Sequence, residues 1–232
     1  MYMLNLLMIQ SELPAGMDSL ANEPEGISTK FIDLALKGGW IMIPILLLSV
    51  IGVYIFFDRY FAIKKAGRFD AGLLEKVKIY ITGGKIDAAL ALCKSNSTPA
   101  ARMLEKGISR IGRPLNDVNA AIENVGNLEI SKLEKGLPAL ASVAGGAPML
   151  GFLGTVMGMI QAFYDMSNAG NNIDVTLLST GIYQAMVTTV AGLIVGIIAY
   201  FAYNILVSNV EKVVFKMEAT TSDFMDLLNE PV

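Results

Sequence analysis

Apolar positions in this chain gather into three uninterrupted runs, separated by stretches where they recur with a helical period. The first run, Gly38 to Phe57, is closed by Asp58 and Arg59. The second, Gly136 to Tyr164, carries no charge between Lys135 and Asp165, and the third, Val175 to Val210, carries none between Asp174 and Glu211. About 20 helical residues cross roughly 30 Å of hydrocarbon, so each run predicts a transmembrane helix. The third would be roughly 50 Å long at 1.5 Å per residue, and so must tilt or project beyond the bilayer. Tyr2 to Ile9 is too short to span and lacks a basic flank, which predicts an amphipathic surface segment within residues 1–37.

The stretch from 59 to 135 reads as a set of helices. Leu73, Leu74, Val77 and Ile81 place one over Phe69 to Thr82, stopped by Gly83-Gly84. Ile86 to Lys94 forms a second. Ser97-Thr98 before Pro99 is a cap with proline at the first helical position, opening Ala100 to Ile111. Pro114 opens a further helix that meets no strong breaker before Gly136-Leu137-Pro138, so one continuous helix over 115–164 is expected. The resulting organisation is an N-terminal segment at 1–37, a first span at 38–58, and a helical domain at 59–135. A second span at 136–164, a turn at 165–174, a third span at 175–210 and a C-terminal helix at 211–232 follow. Strand-type runs joined by hairpin turns are absent, so the fold class is an all-α membrane protein with long helical extensions on one side.

Composition sharpens this picture by exclusion. The chain is 53% apolar and 17% charged, with no His and one Cys. That removes imidazole catalysis, the usual zinc ligand sets and any intrachain disulfide. A net charge of −3 gives no basic footprint for nucleic acid. There is no nucleophile–base pair and no phosphate loop, so neither an enzyme nor a cofactor is expected. Cys93, among Ala and Leu, reads as a small core residue.

Lysine and arginine set the expected topology. Fourteen of the eighteen lie between the first two spans, and none lies in the turn 165–174. The positive-inside rule then places the N-terminus and this turn outside, with 59–135 and the C-terminus inside. Trp40 would sit in the outer aromatic belt, Tyr60 and Phe61 in the inner one.

The second and third spans differ in kind from the first, which is rich in Ile, Leu, Val and Phe. Small residues line the second at Gly151, Gly154 and Gly158, and the third at Gly181, Ala185, Gly192 and Gly196. Such stripes let helices approach closely in lipid. Two of them among three spans predict self-association, against the plainer reading that they pack on each other within one chain. Polar side chains recur as well: Thr155 in the second span, then Thr180, Gln184, Thr188 and Thr189 in the third. Gln184 and Thr188 are four apart and share a face, which predicts a polar lumen or interface rather than self-satisfied hydroxyls. Pro148 frees the carbonyl of Ala144 beside Gly145-Gly146 and is a candidate hinge. No Asp, Glu, Lys, Arg or His lies within either span, so a proton path here needs a carboxylate from another chain.

Ala147 to Phe163 (APMLGFLGTVMGMIQAF), together with Thr188 to Leu193 (TTVAGL) and Tyr203-Asn204, resembles the two signature helices of the MotA/TolQ/ExbB proton-channel family. The stretch KIDAALALCKSNSTPAARMLEKGI resembles the family's cytoplasmic domain, and the likeness covers about residues 30 to 210. Three spans with the N-terminus outside match the ExbB/TolQ arrangement rather than the four-span MotA type. The resemblance implies a pentameric ring in the bacterial inner membrane. Its lumen would hold a single-span ExbD-like or TolR-like partner whose membrane Asp carries protons. It maps lumen threonines onto Thr155 and Thr189, and places Gln184 where many members carry Glu. It further implies that proton motive force is converted into work on a TonB-like transducer that drives outer-membrane transport, or, in the TolQ case, serves envelope integrity. A non-conducting membrane scaffold is the alternative from a different class.

Overall fold

The computed structural model describes residues 38–68, 71–168 and 175–229, and these are helical apart from short turns, with no strand among them. The expected amphipathic segment at 1–37 and most of the turn at 165–174 lie outside the described residues. Seven helices follow in order: α1 (Met42–Ala66), α2 (Ala71–Thr82), α3 (Ile86–Ser95), α4 (Pro99–Ile108), α5 (Leu115–Glu134), α6 (Leu137–Asn168) and α7 (Val175–Asn229). Among the described residues, three stretches are long and apolar enough to cross a membrane: α1, α5 with α6, and α7 from Leu178 onward.

The short helices form where the sequence places their signals. Thr98 caps α4, its side chain accepting from the Ala101 N–H at 3.4 Å, with Pro99 as the first helical residue. One expectation changes. The helix expected to run unbroken over 115–164 is divided, because α5 ends at Glu134 and Gly136 takes a φ of 88° before α6 begins. Only glycine enters that region at little cost, so Gly136 acts as a joint between the two helices. The third span and the C-terminal helix at 211–232 are parts of one helix, α7, which runs for 55 residues, roughly 80 Å at 1.5 Å per residue. Glu211 and Lys212 mark the end of the charge-free run without ending the helix, since both are ordinary helix formers. In the same way α1 continues past Asp58 and Arg59 to Ala66.

Helix α7 is the axis on which the rest is built. Its first half pairs with α6 and its second with α5 and α4. Where α4, α5 and α7 meet, a Cβ at Gly107 would stand 2.6 Å from Cε1 of Phe224 and 2.7 Å from Cδ1 of Ile122. Glycine there admits the fully buried Phe224 ring. Val77, Cys93, Leu104, Ile108 and Val118 complete this core. The Cys93 thiol is buried as expected, and that burial, with Glu105 nearby, pushes its pKa up to about 11.

Within the same domain the chain buries one charge that the sequence pattern did not single out. Glu129 is 3% exposed and is paired with Arg102 of α4 and, at 2.7 Å, with Lys132 one turn along α5. Burial pushes its carboxyl up, but the hydrogen bonds from Lys132 and Arg102 outweigh it and hold the pKa below the ordinary carboxylate value. Arg102 also donates to the Ser97 carbonyl at 3.0 Å, so the ion pair fixes the entry of α4 against α5. At the edge of the first span, Arg59 reaches the Lys132 carbonyl at 3.3 Å and pairs with Asp58, tying α1 to the end of α5.

Candidate functional site

The seam between α6 and α7 is made by the small residues of both. A Cβ at Gly192 would stand 2.5 Å from the Ala147 carbonyl oxygen and 2.9 Å from Cα of Gly151. One at Gly181 would meet Cβ of Ala162 at 2.5 Å, and one at Gly158 would meet Cβ of Ala185 at 3.0 Å. Gly154 faces the Thr188 side chain, and Gly196 receives the Pro148 ring, whose Cδ would lie 2.6 Å from an added Cβ. All seven residues of the two stripes are therefore spent on one close antiparallel contact inside the chain. The inference from two stripes to self-association loses its footing here, because each stripe has the other as its partner. Gly145 and Gly146 differ: a Cβ on either meets nothing within 4 Å. Pro148 lies inside α6 without ending it, and its ring is packed into the notch over Gly196.

The seam's polar groups fall into two sets. Thr155 and Thr189 come from opposite helices and their hydroxyls hydrogen-bond to each other. Both also reach the Gly151 carbonyl, at 3.3 Å and 3.1 Å, and Thr189 reaches the Ala185 carbonyl at 3.3 Å. Each hydroxyl can donate once and accept twice, so two donors share several acceptors and can exchange among them with little cost. Both side chains are half-buried.

Thr188 and Gln184 lie elsewhere. Thr188 is 1% exposed, and its hydroxyl donates to the Ala185 carbonyl at 2.8 Å. A Cβ at Gly38, ahead of α1, would sit 3.5 Å from its methyl. Gln184 lies against Gly39 in the same turn. Thr180 bonds back to the Thr176 carbonyl at 2.8 Å. The residues ahead of α1 approach Thr188 and Gln184, whereas Thr180 is exposed, and the hydroxyls of Thr180 and Thr188 bond back to carbonyls of their own helix.

Angular position separates the two sets. Helix α1 meets α6 at Leu140 and Val143 through Gly52. Val143 and Thr155 are twelve residues apart, a rotation of roughly 120° on a 3.6-residue helix, and Gln184 and Thr189 are separated by roughly 140° on theirs. Thr155 and Thr189 therefore occupy the side of the α6–α7 pair turned away from α1. Phe152, Met186 and Leu193 are exposed around them. The hydroxyl pair is thus a polar spot on an open apolar face, and no Asp, Glu, Lys or Arg lies between Gly136 and Tyr164 or between Val175 and Val210.

Comparison with known proteins accords with these helices. Residues 95–219, from the end of α3 to the later turns of α7, match the MotA/TolQ/ExbB proton channel family. A biopolymer transport protein of Synechocystis, ExbB-like 1, is 31% identical over 189 residues, covering 77% of this chain and 71% of its own length. The Tol-Pal system protein TolQ of Haemophilus influenzae is 38% identical over 104 residues, 45% of this chain and 42% of that protein. The biopolymer transport protein ExbB of Neisseria gonorrhoeae is 33% identical over 100 residues, 43% of this chain and 45% of that protein. With the seam, the motif of α6 and the three spans all inside or beside the matched region, this multi-pass membrane protein belongs to the MotA/TolQ/ExbB proton channel family.

Proposed function

We propose that this chain is the channel-forming stator subunit of an ExbB-type inner-membrane motor, in which a partner chain supplies the proton-carrying carboxylate. The observation that carries the reading is the Thr155–Thr189 hydroxyl pair on an open face of two spans that hold no Asp, Glu, Lys, Arg or His. A carboxylate at bilayer depth is costly unless protein or water donates to it. Two hydroxyls that exchange donation between a backbone carbonyl and an incoming carboxylate lower that cost in both protonation states. The partner is then a single-span ExbD-like or TolR-like protein with one membrane Asp. The exposed apolar surface around the pair suits a ring of copies, a pentamer in this reading, enclosing that partner. Gly145 and Gly146, whose added Cβ would meet nothing within 4 Å among the described residues, leave room for close approach by a neighbouring copy.

In this reading the N-terminus is periplasmic, α2 to α5 and the C-terminal half of α7 are cytoplasmic, and the output drives a TonB-like transducer of outer-membrane transport. The similarity to TolQ supports a second reading, an envelope-integrity motor with the same channel chemistry. Gentle purification of the chain from its native membrane, with mass spectrometry of what accompanies it, separates these from a scaffold. A small single-span protein carrying a membrane Asp is expected. A homo-oligomer with no such companion would favour the scaffold.

A further inference from the structure

Two concave features lie one above the other along the α1–α7 pair. The upper is an apolar groove of about 560 Å³ whose walls include Val53 and Phe56 of α1 with Ile198, Ala202 and Ile205 of α7. The lower is a pocket of about 270 Å³ lined by Tyr60 and Lys64 of α1 with Asn209, Lys212 and Lys216 of α7. Phe56 and Tyr60, like Ile205 and Asn209, are one helical turn apart, so the groove leads into the pocket. The passage from apolar to basic lining falls where charge first appears on each helix, at Asp58-Arg59 and at Glu211-Lys212. The groove is thus at hydrocarbon depth and the pocket at headgroup depth.

The pocket concentrates positive charge without an internal counterion. Lys64, Lys212 and Lys216 are exposed and make no ion pair among the described residues, where the pairs formed are Arg59–Asp58, Arg102–Glu129 and Lys132–Glu129. No acidic residue lines the pocket. Lys212 and Lys216 are four apart on one helix, a like-charge spacing that is unfavourable unless an anion lies between. The Lys64 ammonium stands 5.7 Å from the Tyr60 ring centroid, which gathers it to the same side.

We infer that the two features together are a binding site for one anionic phospholipid, its phosphodiester held by Lys64, Lys212 and Lys216 and an acyl chain laid in the groove above. A basic pocket between membrane helices is suited to such headgroups. The continuous apolar groove selects a lipid over a free phosphate, which would leave the groove unfilled. The site requires that the helices span a membrane and is independent of proton conduction.

The test uses the full chain in phosphatidylcholine vesicles doped with spin-labelled phosphatidylglycerol or spin-labelled phosphatidylcholine, reading by electron paramagnetic resonance the fraction of label immobilised by protein. Each lysine near the surface favours an anionic lipid by about fivefold. The expected preference for phosphatidylglycerol is therefore about tenfold or more. The triple variant Lys64→Gln, Lys212→Gln, Lys216→Gln should lose that preference. A variant with the same charge change at positions that do not line the pocket (Lys94→Gln, Lys106→Gln, Arg113→Gln) should keep it, and both should show the helical content of the parent. Equal immobilisation of the two lipids by the parent chain would overturn the site, as would retained preference in the triple variant. Abolition by millimolar inorganic phosphate at matched ionic strength would assign the pocket to a free anion instead. Immobilisation of neither label would mean that a second copy fills the groove.

Discussion

The hydroxyls of Thr155 and Thr189 meet across the α6–α7 seam on the side turned away from α1, while Thr188, the immediate neighbour of Thr189, is buried on the other side. Successive residues on a helix point roughly 100° apart, so a TT pair cannot serve one surface. Here the first threonine packs against Gly154 and the start of α1, and the second is presented outward.

The seam should be intolerant of bulk at Gly192. A leucine there drives its Cβ into the Ala147 carbonyl and the Gly151 backbone, which cannot yield as a side chain would. Overpacking costs about 1–3 kcal/mol where neighbours adjust, and more where they are backbone. Gly192→Leu should therefore unfold the protomer itself at lower temperature in detergent. Gly145→Ala, whose Cβ meets nothing, should melt at or slightly above the parent temperature, since alanine favours helix over glycine by about 1 kcal/mol. Equal melting of the two variants would contradict the intrachain seam. A Gly145→Leu protomer that folds but no longer assembles would place that glycine against a neighbouring copy.

Glu129 should make the helical domain acid-sensitive. Its folded pKa lies below the unfolded one, so its contribution is full above the unfolded pKa and is lost as pH falls through the folded value. Thermal stability of the parent should decline on that acid side. Glu129→Gln should lose about 1–3 kcal/mol at neutral pH, as expected for a hydrogen-bonded charge, and should show a shallower acid decline. An unchanged acid slope in this variant would assign the sensitivity to other carboxylates.

Labelling tests the orientation. The native thiol is blank for this purpose, because Cys93 is 1% exposed and its pKa of about 11 keeps it protonated. Asn168→Cys, at the exposed end of α6, should react with an impermeant maleimide added to the periplasmic side. Lys78→Cys, exposed on α2, should react only after permeabilisation. The reverse pattern would invert the topology drawn from the lysine and arginine distribution.

The elements that were legible in the sequence are those set by local chemistry. The Thr98 cap, the Gly83-Gly84 stop and the three charge-free runs each act over a few residues, and each stands in the structure near its expected place. What was not legible depends on partners far along the chain. Glu129 looks like any helix-surface glutamate until Arg102, 27 residues earlier, is brought against it. The small stripes of α6 and α7 read alike whether they meet each other or another copy, and only the antiparallel register pairs Gly151 with Gly192. Thr188 and Gln184 share a face, as their spacing requires, but spacing is silent on what covers it. The turn at Gly38 and Gly39 does so, from the far side of α1 in sequence.

The channel reading stands or falls on proton flux in liposomes, measured with and without the co-reconstituted single-span partner, for the parent chain and for Thr155→Val with Thr189→Val. Valine keeps the volume of threonine but removes both hydroxyls, so the seam and the assembly should persist while flux with the partner falls by about tenfold or more, a barrier increase of at least about 1.4 kcal/mol. The chain without its partner should conduct little in either form, because its second and third spans carry no carboxylate, lysine, arginine or histidine. Full flux from the double valine variant would contradict the role of the hydroxyl pair, and strong flux from the partnerless chain would contradict a carboxylate supplied by another protein.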